Sequence, residues 1–297
     1  MNKLGLHANV WVAGWSHDEC VRAVSQTAEL GFDLIEVPAL DPGSIDVDFT
    51  AKQLEKNGIG ITFSLGLDES TDISSGDPEK LKRGEARLRD VVSIARDLNG
   101  SHICGIIYSA FGKYFQPPTQ AGVEGSFDVL RRVAEEAAKS NITLGLEVVN
   151  RYETNVLNTA AQGVDMCKKI GAPNIKVHLD VYHMNIEEAD MEAAILEAGP
   201  YIGYFHTGDS NRGYMGTGTI DLARAFKALV RAGYEGPITF ESFSSTVVGQ
   251  PLEGILGIWR NLWEDGYDLA KHAKAFTEVH LKSAHEAHKR GGAGLFR

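Results

Sequence analysis

The sequence predicts an α/β chain folded as a (β/α)8 TIM barrel with a C-terminal helical extension, on three observations. Eight short apolar runs recur along the 297 residues, each opened by turn residues and closed by a polar one. Helical periodicity fills the intervals between them. Near-continuous apolar strands alternating with helices imply parallel strands covered on both sides. An open doubly wound sheet is the structural competitor, but eight such units in about 240 residues are what a closed barrel requires. Nothing Pro-, Ser- or Gly-rich divides the middle of the chain. The expectation is therefore one domain over 1–297, with the barrel within about 4–265, a C-terminal helix over about 268–289 and a tail at 290–297.

The strand runs are LGLHANVW from Leu4, FDLIEV from Phe32, IGITFSLG from Ile59, HICGII from His102, ITLGLEVV from Ile142, IKVHLD from Ile175, YIGYFH from Tyr201 and PITFES from Pro237. Their starts lie 26 to 43 residues apart, room for a helix and two loops each time. Between them, Val129, Leu130, Val133, Ala134 and Ala137 repeat at helical spacing with Arg and Glu opposite, and 165–170 and 222–230 behave similarly. Asp77-Pro78 reads as an N-cap followed by proline at the first helical position. Gly31, Gly58, Gly171 and Gly233 sit just after helical runs. After the eighth strand the pattern predicts a helix near Leu252 to Trp263 and another from about Asp268 to Lys289. The tail RGGAGLFR is expected to be disordered or ordered only by an oligomer.

Composition narrows the function. There are 29 Lys plus Arg against 40 Asp plus Glu, a net charge of −11. That argues against a nucleic-acid partner, which needs a basic surface to displace counterions. Cys20, Cys104 and Cys167 are sparse and form no C-x-x-C pair, so they read as core thiols of a reducing cytoplasm, without a disulfide framework or thiolate zinc site. No stretch approaches the ~18 apolar residues of a membrane span. The expected compartment is the cytoplasm, with no membrane partner.

In a parallel barrel the chemistry sits at the C-terminal ends of the strands. Strands five to eight end at or within a residue of Glu147, Asp180, His206 and Glu241. Singly, a strand-end carboxylate more often caps a helix or pairs with a lysine, and a lone histidine is more often a satisfied core residue. Four ligand-type residues on four successive strand ends point instead to a cation site. Three carboxylates and one imidazole suit a hard divalent cation such as Mn²⁺, Mg²⁺ or Co²⁺. Arg151 and Glu153 after strand five, His183 after strand six and Arg212 after strand seven lie on the same side and lean toward substrate contacts. Trp11, Trp15, Tyr108, Phe111 and Phe243 stand near strand ends, where they wall a pocket or fill the core. The HEAH segment with His285 and His288 reads as a solvated helix face. The glycines of GYMGTG (Gly213, Gly216, Gly218) fit no phosphate fingerprint and read as a loop.

LEVVNRYE from Leu146, LDVYHMNIEE from Leu179, FHTGDSNRGYMGTG from Phe205 and TFESF from Thr239, four motifs in order, closely resemble the ketose 3-epimerases of the xylose-isomerase-like barrels. These are the enzymes of D-tagatose, D-allulose (psicose) and L-ribulose. The likeness is strong over strands five to eight and weak over 108–126 and the last thirty residues. It implies that Glu147, Asp180, His206 and Glu241 hold one divalent metal, Mn²⁺ foremost with Co²⁺ and Mg²⁺ as alternatives. It implies that Glu153, His183 and Arg212 bind the O1-to-O3 end of the sugar, and that His7, Ser64 and Phe111 line the pocket; Trp15, Ile106 and Phe243 are further candidates for its wall. His7 stands where relatives often carry Phe or Tyr, Ser64 where a Cys occurs and Phe111 where some have Trp, so the preferred sugar stays open.

The implied reaction is C3 epimerisation of free ketoses of the D-allulose/D-fructose, D-tagatose/D-sorbose or L-ribulose/L-xylulose type. One carboxylate removes the C3 proton to give a cis-enediolate, and a second returns a proton to the other face. Glu147 and Glu241 are the expected catalytic pair. An aldose–ketose isomerase of the same barrel group is the nearest alternative, followed by an inosose-type dehydratase. A non-catalytic sugar-binding module would not need two opposed glutamates, and a metal-dependent endonuclease conflicts with the charge. No strand-end lysine invites a Schiff base and no fingerprint invites a nicotinamide. The resemblance suggests a homodimer or homotetramer.

Overall fold

The computed structural model describes residues 2–292. Eight strands, β1 (Leu4–His7), β2 (Leu34–Pro38), β3 (Gly60–Leu67), β4 (His102–Ala110), β5 (Thr143–Glu147), β6 (Ile175–Asp180), β7 (Ile202–Thr207) and β8 (Ile238–Phe240), pair in parallel with their chain neighbours. β8 pairs back onto β1 through Gly5 and Thr239, closing the barrel. The helices are α1 (His17–Glu29), α2 (Val47–Asn57), α3 (Pro78–Asp97), α4 (Gln120–Ala138), α5 (Ala160–Ile170), α6 (Val181–Glu187), α7 (Met191–Ala198), α8 (Leu222–Arg231), α9 (Leu252–Leu256) and α10 (Gly266–Gly292).

Each apolar run hides a period of two. Successive strand side chains point to opposite faces, so Ile35 and Val37, Phe63 and Leu65, Leu144 and Leu146, Val177 and Leu179, and Ile238 and Phe240 face the helices. All are buried in one core cluster. The residues between them turn into the bore: Glu36, Thr62, His178, Tyr204 and Thr239, each without solvent exposure. This bore is polar, where parallel barrels usually stack Val, Ile and Leu. Glycine makes room in it. A Cβ on Gly145 would lie 2.9 Å from the Cys104 sulfur and 3.3 Å from the Cβ of His178.

Local signals set the element ends. Ser16 caps α1 in a reciprocal box with Glu19, Asp77 caps α3 ahead of Pro78, and Gly58 and Gly171 end α2 and α5 in the left-handed conformation. Two expectations near the C-terminus need correction. The helix expected over 252–263 stops at Leu256, because Gly257 turns left-handed (φ 67°) and the chain continues as a loop to 265. The last helix starts at Gly266 and runs to Gly292, taking in the first residues expected to be tail. The rest of that tail, 293–297, lies outside the described residues. α10 packs on α8, with the His280 ring parallel to that of Phe226 and tilted against that of Phe276. No described helix is long and apolar enough to cross a membrane.

Candidate active site

Glu147 is the last residue of β5 and Asp180 the last of β6, His206 is the second-last of β7, and Glu241 directly follows β8. Asp180 and His206 are register partners. Strand alternation turns all four inward, and they converge. His206 Nδ1 lies 3.8 Å from Glu147 Oε1, 3.9 Å from Asp180 Oδ2 and 3.5 Å from Glu241 Oε1. His206 Nδ1 and Asp180 Oδ2 are buried without a hydrogen-bond partner. A buried polar atom left unpaired is costly, and here the two orphaned atoms belong with Glu241 to one group whose ligand atoms lie within 4.8 Å of one another. The donor set fits a divalent cation. It does not by itself select which one.

Three histidines face this point, and their backbone neighbours fix what each can do. His206 Nε2 lies 2.9 Å from Glu36 Oε2. The carboxylate can only accept, so Nε2 carries a proton and Nδ1 is the nitrogen turned toward the convergence point, where a cation would take the place of a proton. His183 is the reverse. Its Nδ1 accepts from the Asn150 backbone N–H (3.2 Å) and side-chain amide (2.9 Å), so its Nε2–H points toward Asp180, Glu153 and Glu147 at 3.7 to 3.9 Å. His7 follows the same logic, with Nδ1 accepting from Asn9 N and Nε2–H directed at Ser64, Glu36 and Glu241. Thus His206 turns Nδ1 to the convergence point, and His183 and His7 turn N–H donors toward the same carboxylates.

The electrostatics are those of an acid-rich site. Burial pushes the Glu147 carboxyl well above its usual range, and Glu241 and Asp180 add to this against the pull of His206. Burial likewise moves Asp180 up to about 6 and Glu153 up to about 7, although Arg212 opposes both. Glu241 goes the other way. Burial alone would raise it, but His206 and Arg212 hold it down to about 2. For His206, the loss of solvent is outweighed by Glu36 and Glu241, which lift it to about 10. A cation at the convergence point would relieve the repulsion among these carboxylates.

Arg212 supplies the only guanidinium among the residues lining the cavity. Its backbone sits in the left-handed region (φ 53°), held by its N–H to Asp209 O at 2.9 Å and by its carbonyl, which accepts from Ser242 Oγ. Such strain in a non-glycine residue concentrates at functional sites. It aims Nη1 at Glu241 Oε2. The glycine loop that follows folds onto Asp209, whose Oδ2 accepts from Gly216 N at 2.7 Å.

The cavity is lined by the polar Glu147, Glu153, His183, Arg212 and Glu241 together with His7, Ser64, Ile106, Phe111 and Phe243, and by Leu252 and Leu256 of α9. Trp15 does not belong to this wall. It is buried, and its indole Nε1 donates to Thr50 Oγ1 of α2 at 3.0 Å, so it packs the β1–α1 connection against a helix. Arg151 also turns away, pairing with Glu187 on the surface. Sequence reasoning passed over three residues of the site: Asn150, which ties His183 to Glu153; Glu36, which holds His206; and His178, buried with neither ring nitrogen bonded and its ring centre 4.1 Å from that of His206.

This barrel and its strand-end site define a class: residues 24–272 match the family of xylose isomerase-like TIM barrels. The chain is 47% identical to the ketose 3-epimerase of Arthrobacter globiformis, with 94% of this chain and 96% of that protein aligned. It is 45% identical to the L-ribulose 3-epimerase of Mesorhizobium japonicum, covering 96% of each. The crystal structure of the D-allulose 3-epimerase from Methylomonas sp. in complex with D-allulose superposes with a TM-score of 0.92 at 43% identity, over 94% of this chain and 97% of that one. The chain belongs to the ketose 3-epimerase family and is an isomerase.

Proposed function

We propose that this protein epimerises free ketoses of the L-ribulose and D-allulose type at C3, with Glu147 and Glu241 as the proton-transfer pair. One observation carries the reading: these two carboxylates, one ending β5 and one directly after β8, both line the cavity and both lie within 3.8 Å of the same His206 nitrogen. Inverting a carbon needs two groups that reach it from different sides. Their environments also differ, since Glu241 is held anionic by Arg212 and His206 while Glu147 retains a proton readily. Titratable groups pushed apart in this way are suited to opposite proton-transfer roles. Either can begin the reaction, depending on the epimer bound.

Glu147, Asp180, His206 and Glu241 would hold a divalent cation, Mn²⁺ by preference, which when bound polarises the C2 carbonyl and so acidifies the hydrogen on C3. The remaining work falls to the chain. Arg212, Glu153 and His183 orient the O1-to-O3 end of the sugar by charge-assisted hydrogen bonds. Glu147 or Glu241 removes the C3 proton, the sugar passes through a cis-enediolate, and the other glutamate returns a proton to the opposite face. Ile106, Phe111, Phe243, Leu252 and Leu256 keep water away from that intermediate.

The test is incubation with Mn²⁺ and D-allulose, D-fructose, D-tagatose or L-ribulose in D₂O. The expected product is the C3 epimer carrying deuterium at C3; label at C1 or C2 instead would identify an aldose–ketose isomerase. The reading further places the protein in the cytoplasm, in keeping with three free, buried cysteines. It makes the protein a homodimer or homotetramer, in keeping with the exposure of Phe115 and Trp259. Light scattering of the purified chain tests the assembly.

A further inference from the structure

We propose that Glu36, on β2 and outside the ligand set, is a positioning residue that fixes His206 as a metal ligand from inside the barrel; this rests on the cation site of the proposed function. Glu36 has no solvent exposure. It is a register partner of His7 on one side and of Thr62 on the other. Its Oε2 accepts from His206 Nε2 at 2.9 Å and from the Tyr204 hydroxyl at 2.7 Å. The tyrosine oxygen in turn meets Thr62 Oγ1 at 2.8 Å and Thr239 Oγ1 at 2.7 Å. Four strands, β2, β3, β7 and β8, are thereby tied together just beneath the convergence point.

Such a cluster could be mere internal bracing, but two features assign it a direction. The bracing needs only hydroxyls and an acceptor, and a neutral amide would serve as well as a carboxylate. A fully desolvated carboxylate is a costly way to brace a sheet. It makes sense where a proton must be kept on one imidazole nitrogen so that the other remains a lone pair. The second feature is the free oxygen, Oε1, which is buried without a partner and lies 3.8 Å from His7 Nε2. The same carboxylate therefore stands between two imidazoles that both face Glu241, and its charge bears on the pocket as well as on the ligand.

The experiment is calorimetric titration of the chelator-treated, full-length protein with Mn²⁺, comparing wild type, Glu36→Gln and Tyr204→Phe. The glutamine keeps an acceptor for His206 Nε2–H and removes the charge. Tyr204→Phe removes the other donor to the same oxygen and leaves the histidine bond in place. Glu36→Gln is expected to weaken Mn²⁺ binding by about 10–100-fold, the usual size of an outer-shell effect on metal affinity, with Tyr204→Phe losing much less. Binding in Glu36→Gln within about threefold of wild type, below that range, overturns the proposal. So does an equal loss in both variants, which is what bracing alone would produce. Failure of the wild type to bind Mn²⁺ at all would overturn the cation site and this inference with it, whereas retained binding in the variant defeats only the inference. Should Glu36→Gln not fold, ¹⁵N spectra of histidines in the Mg²⁺-loaded wild type give the answer. His206 is expected with its proton on Nε2, and a proton on Nδ1 sinks the proposal.

Discussion

The guanidinium carbon of Arg212 lies 3.9 Å from the centre of the Tyr182 ring, so that the cation is stacked on one face while it donates to Glu241 from its edge. Phe243 flanks it at 5.0 Å. A planar, delocalised cation can stack and donate at once, and an ammonium cannot. Arg212→Lys should therefore lose most of what Arg212→Ala loses. Since the group faces the place where negative charge develops, kcat/KM is expected to fall by about 10²–10³-fold, as for other preorganised donors. Steady-state assays check this, and a lysine variant within tenfold of wild type would refute it.

Glu147→Gln and Glu241→Gln should each abolish epimerisation, the loss of positioned proton transfer alone removing about 10²–10⁴-fold. The more searching measurement is wash-in of deuterium at C3 from D₂O. A variant that has lost only the group on one face can still exchange the proton of the epimer handled by the other. Near-normal turnover in either variant would remove that glutamate from the mechanism.

Stability should depend on pH in a direction set by the site. Asp180 and Glu153 have folded-state values of about 6 and 7, above their ordinary values near 3.8 and 4.5, so they favour the folded state at low pH and that contribution is lost as pH rises through about 4 to 7. His206, raised from 6.5 to about 10, contributes below 6.5, and its contribution is lost between there and 10. Surface acids held low by partners, such as Glu85 beside Arg132, are already ionised above pH 5 and do not alter the trend. Four buried histidines that burial holds low, His7, His102, His178 and His183, work the opposite way as pH rises to about 6.5, so metal-free protein is expected to show a falling Tm only from about pH 7 to pH 9. Mn²⁺ should raise Tm more at the higher pH, because its ligands are then deprotonated. Thermal scans with and without chelator decide it, and a Tm that climbs over that range in chelator would contradict the assignment.

Gly84, inside α3, sets two effects against each other. Alanine is the better helix former by about 1 kcal/mol. A Cβ there would lie 2.3 Å from the Thr71 carbonyl oxygen and 2.4 Å from Ile73 Cγ2. Backbone cannot swing away as a flexible side chain can, so the clash wins and Gly84→Ala is expected to destabilise by about 2 kcal/mol. Denaturant midpoints measure it; a stabilised variant would show that α3 shifts freely.

Much of this was legible in the residues. Turn-bounded apolar runs located all eight strands, and reading what closes runs five to eight found Glu147, Asp180, His206 and Glu241. Treating those runs as uniformly apolar concealed the alternation inside them. LIEV carries Glu36 between Ile35 and Val37, KVHLD carries His178 between Val177 and Leu179, and each is a polar residue on the inward step of the pleat. That period of two was the available signal for the bore. Trp15 could not be placed from spacing, because whether an aromatic after a strand joins the pocket or the core depends on which helix the loop meets, here Thr50 of α2. The end of α9 at Gly257 was a local breaker read as part of a longer helix.

A bore lined by Glu36, Thr62, His178, Tyr204 and Thr239 offers little greasy filling to hold eight strands together from within. A cation held at its mouth would then be a keystone for the arch as well as a tool for the reaction, since whatever binds only the native chain adds to its stability by mass action. In a cell short of divalent metal, unfolded chains are cleared by proteolysis. The outcome of metal starvation would be fewer molecules of this isomerase, and not simply slower ones.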